Sequence, residues 1–160
     1  MNKTKIQWKL LILFVLIPLA VGAISGFLSK NGMQSFESVN KPPLSPPATL
    51  FPIVWTILYT LMGIASYLVF TSGAPQNEVG TALRAYTVQL VFNFFWSPIF
   101  FNLQSYLLAF IWLVLLLISI IITCILFFRI SKPAGYLLIP YIIWVSFAGY
   151  LNLAIYFLNR

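Results

Sequence analysis

The sequence has no histidine, a single cysteine (Cys124) and only two acidic residues, Glu37 and Glu78, among 160 residues. Histidine and carboxylates are the usual proton donors and acceptors of enzymes, so most acid–base catalysis is excluded. The same shortage excludes a disulfide framework and a cluster of metal ligands. We therefore predict no metal site, no cofactor other than a bound ligand, and no catalytic residue of the ordinary kind.

Charged residues of either sign are also scarce, at 7% of the chain, whereas 61% of the residues are hydrophobic. Too few polar side chains remain to cover a soluble globule, so most of the surface is expected to face lipid. The net charge of +7 does not indicate a nucleic-acid partner, because the basic residues lie at the ends of apolar runs. The predicted environment is the lipid bilayer.

Five apolar runs, each long enough to cross the hydrocarbon core, cover about two thirds of the chain. They are too long for barrel strands and lack alternation with a period of two, which favours helices. We predict an all-α membrane protein, a bundle of five transmembrane helices forming one domain over residues 1–160. The predicted helices cover residues 10–28, 48–71, 81–101, 106–128 and 134–158, with a long loop at 29–47.

The topology of these runs follows from the distribution of lysine and arginine. Six of them, including Lys3, fall on the side that holds the N-terminus, against three on the other side. This bias predicts a cytoplasmic N-terminus and an external 29–47 loop. The basic start resembles a signal peptide, but the apolar run continues to Leu28, which favours a retained helix. Short loops favour a bacterial cell membrane.

Polar and small residues distinguish the runs from one another. Gly22 and Gly26 form a GxxxG pair, which lets another backbone approach closely. Gln89 and Asn93 lie four residues apart on one helix face, and intramembrane amides usually point into the bundle. The 106–128 run has no proline, glycine, amide or charge. It is therefore predicted to be the most lipid-exposed helix or to pack against a second copy.

Aromatic residues make up 18% of the chain. Three tryptophans lie well inside the runs: Trp55, Trp96 and Trp144. Such residues serve in core packing more often than in ligand contact, so both interpretations stay open. Trp55 and Tyr59 share one helix face, and Pro140, Trp144 and Ala148 share another. Inward aromatic faces with amides nearby would enclose a flat, mostly apolar ligand.

Three segments carry a resemblance to a known family: KPPLSPPATLFPIVWTILYTLMGIASYLV at 41–69, QLVFNFFWSPIFF at 89–101 and LLIPYIIWVSFAGYLNLAIYFLN at 137–159. Together they resemble the translocator protein family, also called peripheral benzodiazepine receptors or, in bacteria, tryptophan-rich sensory proteins. The resemblance spans essentially the whole chain, with the runs in the same order and the same long first loop.

The resemblance implies a five-helix bundle, often a homodimer, with a ligand cavity under the first loop. It implies binding of tetrapyrroles such as protoporphyrin IX and haem, of cholesterol-like sterols, and of benzodiazepine or isoquinoline carboxamide drugs. The absent histidine removes the commonest axial ligand of haem iron, which favours free-base porphyrin. The sterol-recognition pattern of the family is matched only loosely, by Leu153, Tyr156 and Arg160.

The cavity tryptophans of the family correspond to Trp55 and Trp144. Leu44 stands where the family's first loop usually has a tryptophan, and Phe36 where some relatives have a tyrosine. The resemblance and the helix faces together predict ten ligand-binding residues: Gly22, Gly26, Phe36, Trp55, Tyr59, Asn93, Trp96, Pro140, Trp144 and Ala148.

Three functions fit this pattern, the first being a membrane receptor or sensor that binds tetrapyrroles and drugs. The second is a light- or oxygen-dependent porphyrin-degrading catalyst, in which Trp55 or Trp144 would donate an electron to the photoexcited macrocycle. The third is a transporter of porphyrin or sterol. The runs lack the internal repeats and buried charges typical of carriers, which favours the first.

Overall fold

The structure, a computed structural model, describes residues 5–160, so Lys3 lies outside the described residues. Across that range the chain is helical, without a strand, which confirms the all-α class. Its α-helices are α1 (Trp8–Leu28), α2 (Lys30–Ser35), α3 (Leu50–Phe70), α4 (Gln76–Ser97), α5 (Tyr106–Ile130) and α6 (Lys132–Leu158). A 3₁₀ turn at Phe36–Ser38 follows α2, and a π-helical turn at Pro98–Asn102 extends α4.

Within residues 5–160, four helices are long and apolar enough to cross a membrane: α1, α3, α5 and α6. The predicted count of five spanning helices is therefore not confirmed by length and hydropathy. Helix α4 has 22 residues but a lower mean hydropathy, because its first turns carry Gln76, Glu78 and Arg84. It begins five residues before the predicted position, since Pro75 starts the helix and Glu78 lies in the first turn, where the helix dipole favours an acid. Because polar residues are also typical of turns, the sequence pattern placed the start of this helix too late.

The segment 29–47 was predicted to be a loop. The structure shows that it contains a short helix, α2. Ser29 ends α1 by donating its backbone N–H to the carbonyl groups of Ser25 and Gly26, and α2 continues directly at Lys30. A methyl group on Gly32 would overlap the Phe101 backbone. The start of the segment is therefore packed closely on the end of α4, where only glycine fits.

The prediction that α5 is the most exposed helix is wrong. Helix α1 has only two buried residues, Pro18 and Ser25, whereas α5 has seven. Buried α5 residues recur every three or four positions and pack on α4 and α6: Ala109, Leu113, Leu116, Ile120, Thr123, Cys124 and Phe127. A helix whose membrane-spanning part carries no amide and no charge can be central when the neighbouring faces are apolar too. Whether α5 also contacts a second copy stays a prediction.

The prediction that Gly22 and Gly26 let another backbone approach α1 closely is wrong. A methyl group on Gly22 would overlap the Tyr59 ring, whereas Gly26 has no atom within 4 Å of that position. The closest backbone approach instead involves Gly63 of α3, where a methyl group would overlap the Val15 Cα and lie 2.7 Å from the Phe14 carbonyl oxygen. Helix α1 is thus held to α3 by a glycine that the spacing pattern does not mark.

Candidate functional site

A chain of hydrogen bonds joins α3, α4 and α6 at the centre of the protein. The Tyr59 hydroxyl donates to Asn93 Oδ1 at 2.6 Å, and Asn93 Nδ2 donates to the Tyr141 hydroxyl at 2.7 Å. The Tyr141 hydroxyl in turn donates to Gln89 Oε1 at 2.8 Å. All four side chains are buried, so both amides point into the bundle, as predicted. The network satisfies polar groups that would be costly in an apolar interior.

The residue that sequence reasoning missed here is Tyr141, although a signal for it exists. Counting back from Asn152 in steps of four and three residues gives the buried face of α6: Ala148, Val145, Tyr141, Leu138 and Ala134. An amide inside a membrane helix points inward, so Asn152 defines this face. Trp144 and Pro140 lie off it: the tryptophan is half-buried and the proline is exposed.

Four of the predicted ligand-binding residues meet at the network. The Trp55 ring stacks on Tyr59 at a centroid distance of 5.4 Å and meets Tyr141 edge-on at 6.1 Å. Tyr59 lies against Gly22 and donates to Asn93. These contacts bring Gly22, Trp55, Tyr59 and Asn93 into one cluster, which joins residues from three helices.

Trp144 belongs to a second aromatic group, which consists of one residue of α3 and three residues of α6. Its ring contacts Phe51 of α3 at 5.7 Å and Phe147 at 5.8 Å, and Phe147 stacks on Tyr150 at 6.2 Å. The Tyr150 hydroxyl donates to the Pro43 carbonyl at 3.3 Å, so the row ends under the first loop. We call these four residues, Phe51, Trp144, Phe147 and Tyr150, the α6 aromatic row. Only Trp144 was predicted from the sequence.

Two other predicted residues, Phe36 and Trp96, form a separate cluster near the end of α4. Trp96 stacks on Phe100 at 5.1 Å, and Phe36 contacts Phe100 at 5.3 Å. Trp96 Nε1 donates to Asn152 Oδ1 at 3.3 Å, while Asn152 Nδ2 donates to the Tyr106 carbonyl at 2.7 Å. These polar groups already bond to one another, which gives Trp96 a packing role in this conformation.

The remaining predicted residues do not join the network. Pro140 is exposed, Ala148 is buried on the inner face of α6, and Gly26 faces open space.

A cavity of about 400 Å³ lies between α1, α3 and α4, and none of the ten predicted residues lines it. Among residues 5–160 no group of three or more His, Cys, Asp or Glu could hold a metal ion.

One polar atom of the α6 aromatic row is unpaired. Trp144 Nε1 is buried and has no hydrogen-bond partner within the described part of the chain. A buried N–H without an acceptor costs about 1–3 kcal/mol, and such groups in native structures call for an explanation. A ligand with an acceptor oxygen, lying beside Phe51 and Trp144, would satisfy this donor.

The first loop is tied to the C-terminal end of α6 by a pair of hydrogen bonds. The Asn40 backbone N–H donates to Asn159 Oδ1 at 3.0 Å, and Asn159 Nδ2 donates to the Asn40 carbonyl at 2.9 Å. The Asn159 amide therefore pairs with both backbone groups of Asn40. Together with the Tyr150 contact, this arrangement holds the loop across the end of the α6 aromatic row.

Leu44 sits at the tip of this loop in a conformation that usually requires glycine. Its φ is +69°, its side chain is 80% exposed, and the Ser45 N–H donates to the Pro42 carbonyl at 3.4 Å. With Pro43 at the second position, this geometry is typical of a type II turn, in which the third residue has positive φ. Because the Leu44 side chain is exposed, no buried contact offsets the strain of its backbone conformation.

Leu44→Gly should therefore raise the free energy of unfolding by about 1 kcal/mol, because it relieves the left-handed strain, partly offset by the greater freedom of the unfolded chain. Leu44→Val should lower it, since a branched side chain tolerates positive φ poorly. Thermal unfolding in detergent would measure both. Equal midpoints for the two variants would contradict the turn assignment.

The helices and the aromatic centre define a helical membrane protein, and the comparisons with known proteins name its family. The chain belongs to the TspO/MBR family, whose sequence profile matches residues 14–158. It is 46% identical over 142 residues to the tryptophan-rich protein TspO of Chlorobaculum tepidum, covering 88% of this chain and 90% of that protein. It is 37% identical to the tryptophan-rich protein TspO of Archaeoglobus fulgidus, with 93% and 96% covered. The translocator protein of Ovis aries is 33% identical, with 87% and 83% covered.

Proposed function

We propose that this protein is an integral membrane receptor or sensor that binds a tetrapyrrole, protoporphyrin IX foremost, or a benzodiazepine- or isoquinoline-type drug, at the α6 aromatic row. The observation that carries the proposal is the buried, unpartnered Trp144 Nε1 between Phe51 and Phe147. A flat macrocycle offers ring faces to the aromatic side chains, and its carboxylate oxygens can accept from the indole N–H.

The first loop gives this site a cover. Asn159 and Tyr150 bond its backbone at Asn40 and Pro43, directly beyond the α6 aromatic row. A ligand entering from the loop side would contact Tyr150 and Phe147 before it reached Trp144. Gly22, Trp55, Tyr59 and Asn93 would lie behind it as a packed wall, with the Trp55 ring one helical turn beyond Phe51.

The proposal includes the membrane arrangement. Helix α4 has 22 residues and is about 33 Å long at 1.5 Å per residue, enough for a hydrocarbon core of about 30 Å. Its buried face packs on α5 and the network, which supports its role as the fifth spanning helix. We place the N-terminus in the cytoplasm of a bacterium, and we expect a homodimer.

Trp144→Phe should weaken binding of protoporphyrin IX roughly tenfold, because phenylalanine keeps the ring but removes the only free donor of the row. Titration of purified protein in detergent, in the dark, would measure the dissociation constant by quenching of tryptophan fluorescence. Trp8→Phe is the matched control, since Trp8 is 65% exposed at the start of α1.

The apo protein separates a binding role from a packing role. In the free protein Trp144→Phe breaks no hydrogen bond, so any fall in the thermal midpoint should reflect only the smaller ring packed on Phe51 and Phe147. Equal affinities for Trp144→Phe and Trp8→Phe would place the ligand elsewhere. Loss of porphyrin fluorescence only under illumination, with a new product, would instead favour the catalytic alternative.

A further inference from the structure

A small pocket lies between the start of α1 and the end of α3, at the opposite end of the bundle from the α6 aromatic row. Phe51 of that row and Tyr67 of the pocket are sixteen residues apart on α3, which is about 24 Å at 1.5 Å per residue. The pocket has a volume of about 180 Å³ and is lined by Lys5, Gln7, Leu10, Tyr67, Phe70 and Thr71. We call it the α1–α3 pocket.

The start of α1 brings positive charge and hydrogen-bond donors to this pocket. The Leu11 N–H donates to the Gln7 carbonyl, and no side chain caps this end of the helix. The backbone N–H groups of residues 8–10 therefore have no acceptor within the helix. Together with the Lys5 ammonium group and the positive end of the helix dipole, these donors favour an anion.

Tyr67 adds a donor from a buried side chain. Its hydroxyl accepts from the Gln7 backbone N–H at 3.0 Å, and both residues line the pocket, so the hydroxyl lies at the pocket wall. Among the described residues no acceptor receives the proton of this hydroxyl. Tyr67 is only 7% exposed, and its ring meets Phe14 edge-on at 6.4 Å, which fixes the position of the donor. A donor held in this way calls for an acceptor in the pocket.

Groups that would repel an anion are absent from the lining or already bonded. No Asp or Glu lines the α1–α3 pocket. The Tyr67 carbonyl accepts from the backbone N–H and from the hydroxyl of Thr71, each at 2.9 Å. The Val69 carbonyl accepts from the backbone N–H and from the hydroxyl of Ser72, at 3.3 and 2.7 Å. These bonds weaken the negative potential that the end of α3 would otherwise direct at the pocket.

The position of the pocket favours a lipid over an ion from solution. Helices α1 and α3 are each long and apolar enough to span a bilayer, so their ends lie near its surface. Trp8, at the same end, is 65% exposed, as is typical of tryptophans at the membrane interface. Leu10 and Phe70 give the pocket an apolar side, which acyl chains can cover while the donors bind the phosphate oxygens.

We propose that the α1–α3 pocket binds the phosphate group of an anionic phospholipid, with Lys5 pairing with its charge and the Tyr67 hydroxyl donating to a phosphate oxygen. A zwitterionic headgroup is disfavoured, because its cationic part would lie near Lys5. The pocket shares no residue with the α6 aromatic row. Lys5→Gln should therefore leave the affinity for protoporphyrin IX unchanged, and failure of either proposal would leave the other intact.

Native mass spectrometry of the full chain in detergent tests this site, with phosphatidylglycerol as the anionic probe and phosphatidylcholine of the same acyl chains as the zwitterionic one. Wild type should retain one phosphatidylglycerol molecule at lower lipid concentrations than phosphatidylcholine. Lys5→Gln and Tyr67→Phe should each raise the dissociation constant for phosphatidylglycerol roughly three- to tenfold, because each removes one partner of the phosphate. Lys5 is exposed, so Lys5→Gln should not change the thermal midpoint without lipid.

Lys132→Gln is the matched control. It removes the same charge from an exposed lysine on the same predicted side of the membrane, but Lys132 does not line the pocket. This variant should leave the dissociation constant unchanged. Equal weakening by Lys5→Gln and Lys132→Gln would overturn the proposal, because the lipid would then follow surface charge alone. So would an unchanged constant in Tyr67→Phe, equal affinity of wild type for the two lipids, or displacement of phosphatidylglycerol by an equal concentration of inorganic phosphate.

Discussion

Gly63→Ala should lower the free energy of unfolding by about 1–3 kcal/mol, because the added methyl group has no room. It would overlap the Val15 Cα and lie 2.7 Å from the Phe14 carbonyl oxygen. Both obstacles are backbone atoms, which cannot rotate away as a side chain can. Helix α1 would have to move off α3, its principal neighbour. Unfolding in detergent by added SDS would measure the loss.

Gly26→Ala is the matched control, since it adds the same methyl group to a spanning helix where no atom lies within 4 Å. Alanine favours helix over glycine, so this variant should be neutral or more stable by up to about 1 kcal/mol. A loss at Gly26 equal to that at Gly63 would show that α1 packs through its GxxxG pair. Backbone contact between α1 and α3 would then lie elsewhere.

Asn93→Leu should also lower the free energy of unfolding by about 1–3 kcal/mol. Leucine keeps the volume of the side chain but leaves the Tyr59 hydroxyl without its acceptor and the Tyr141 hydroxyl without its donor. Because Trp55 stacks on Tyr59, the fluorescence of Trp55 should change as well. Tyr141 would keep its bond to Gln89, which limits the damage.

The coupling between Asn93 and Tyr59 gives the sharper test. Asn93→Leu should cost less in a Tyr59→Phe background, where the hydroxyl that needs the amide is already gone. Asn77→Leu, at an exposed position on the same helix, controls for loss of an asparagine without loss of a network. Strictly additive effects of the Asn93 and Tyr59 substitutions would contradict the hydrogen bond between them.

Patterns in the sequence predicted the parts of the site where one chemical rule acts alone. Gln89 and Asn93 had to point inward, since an amide facing lipid has no partner. Trp55 and Tyr59 share a face because of helical spacing, and they do stack on one another. The same rule applied to Asn152 would have identified Tyr141, but the tryptophan at position 144 drew the prediction to the neighbouring face of α6.

Other features depend on which residues lie next to each position in the folded protein. Gly22, Gly26 and Gly63 look alike in a sequence, yet only the last admits another backbone. Helix α5 looked the most suited to lipid, but α4 and α6 cover it, whereas α1 is attached along one side and stays exposed. Exposure depends on which faces meet, and this is decided by packing among several helices at once.

Composition alone established that this chain is a membrane protein with little capacity for acid–base or metal chemistry, because hydropathy and the supply of titratable groups are sums over residues. The three-dimensional arrangement decided which donors remain free. Asn93 Nδ2 and Trp96 Nε1 donate to groups within the protein, whereas Trp144 Nε1 has no partner among the described residues. A free donor is a property of a residue and its surroundings together, so it emerges only when the helices are packed.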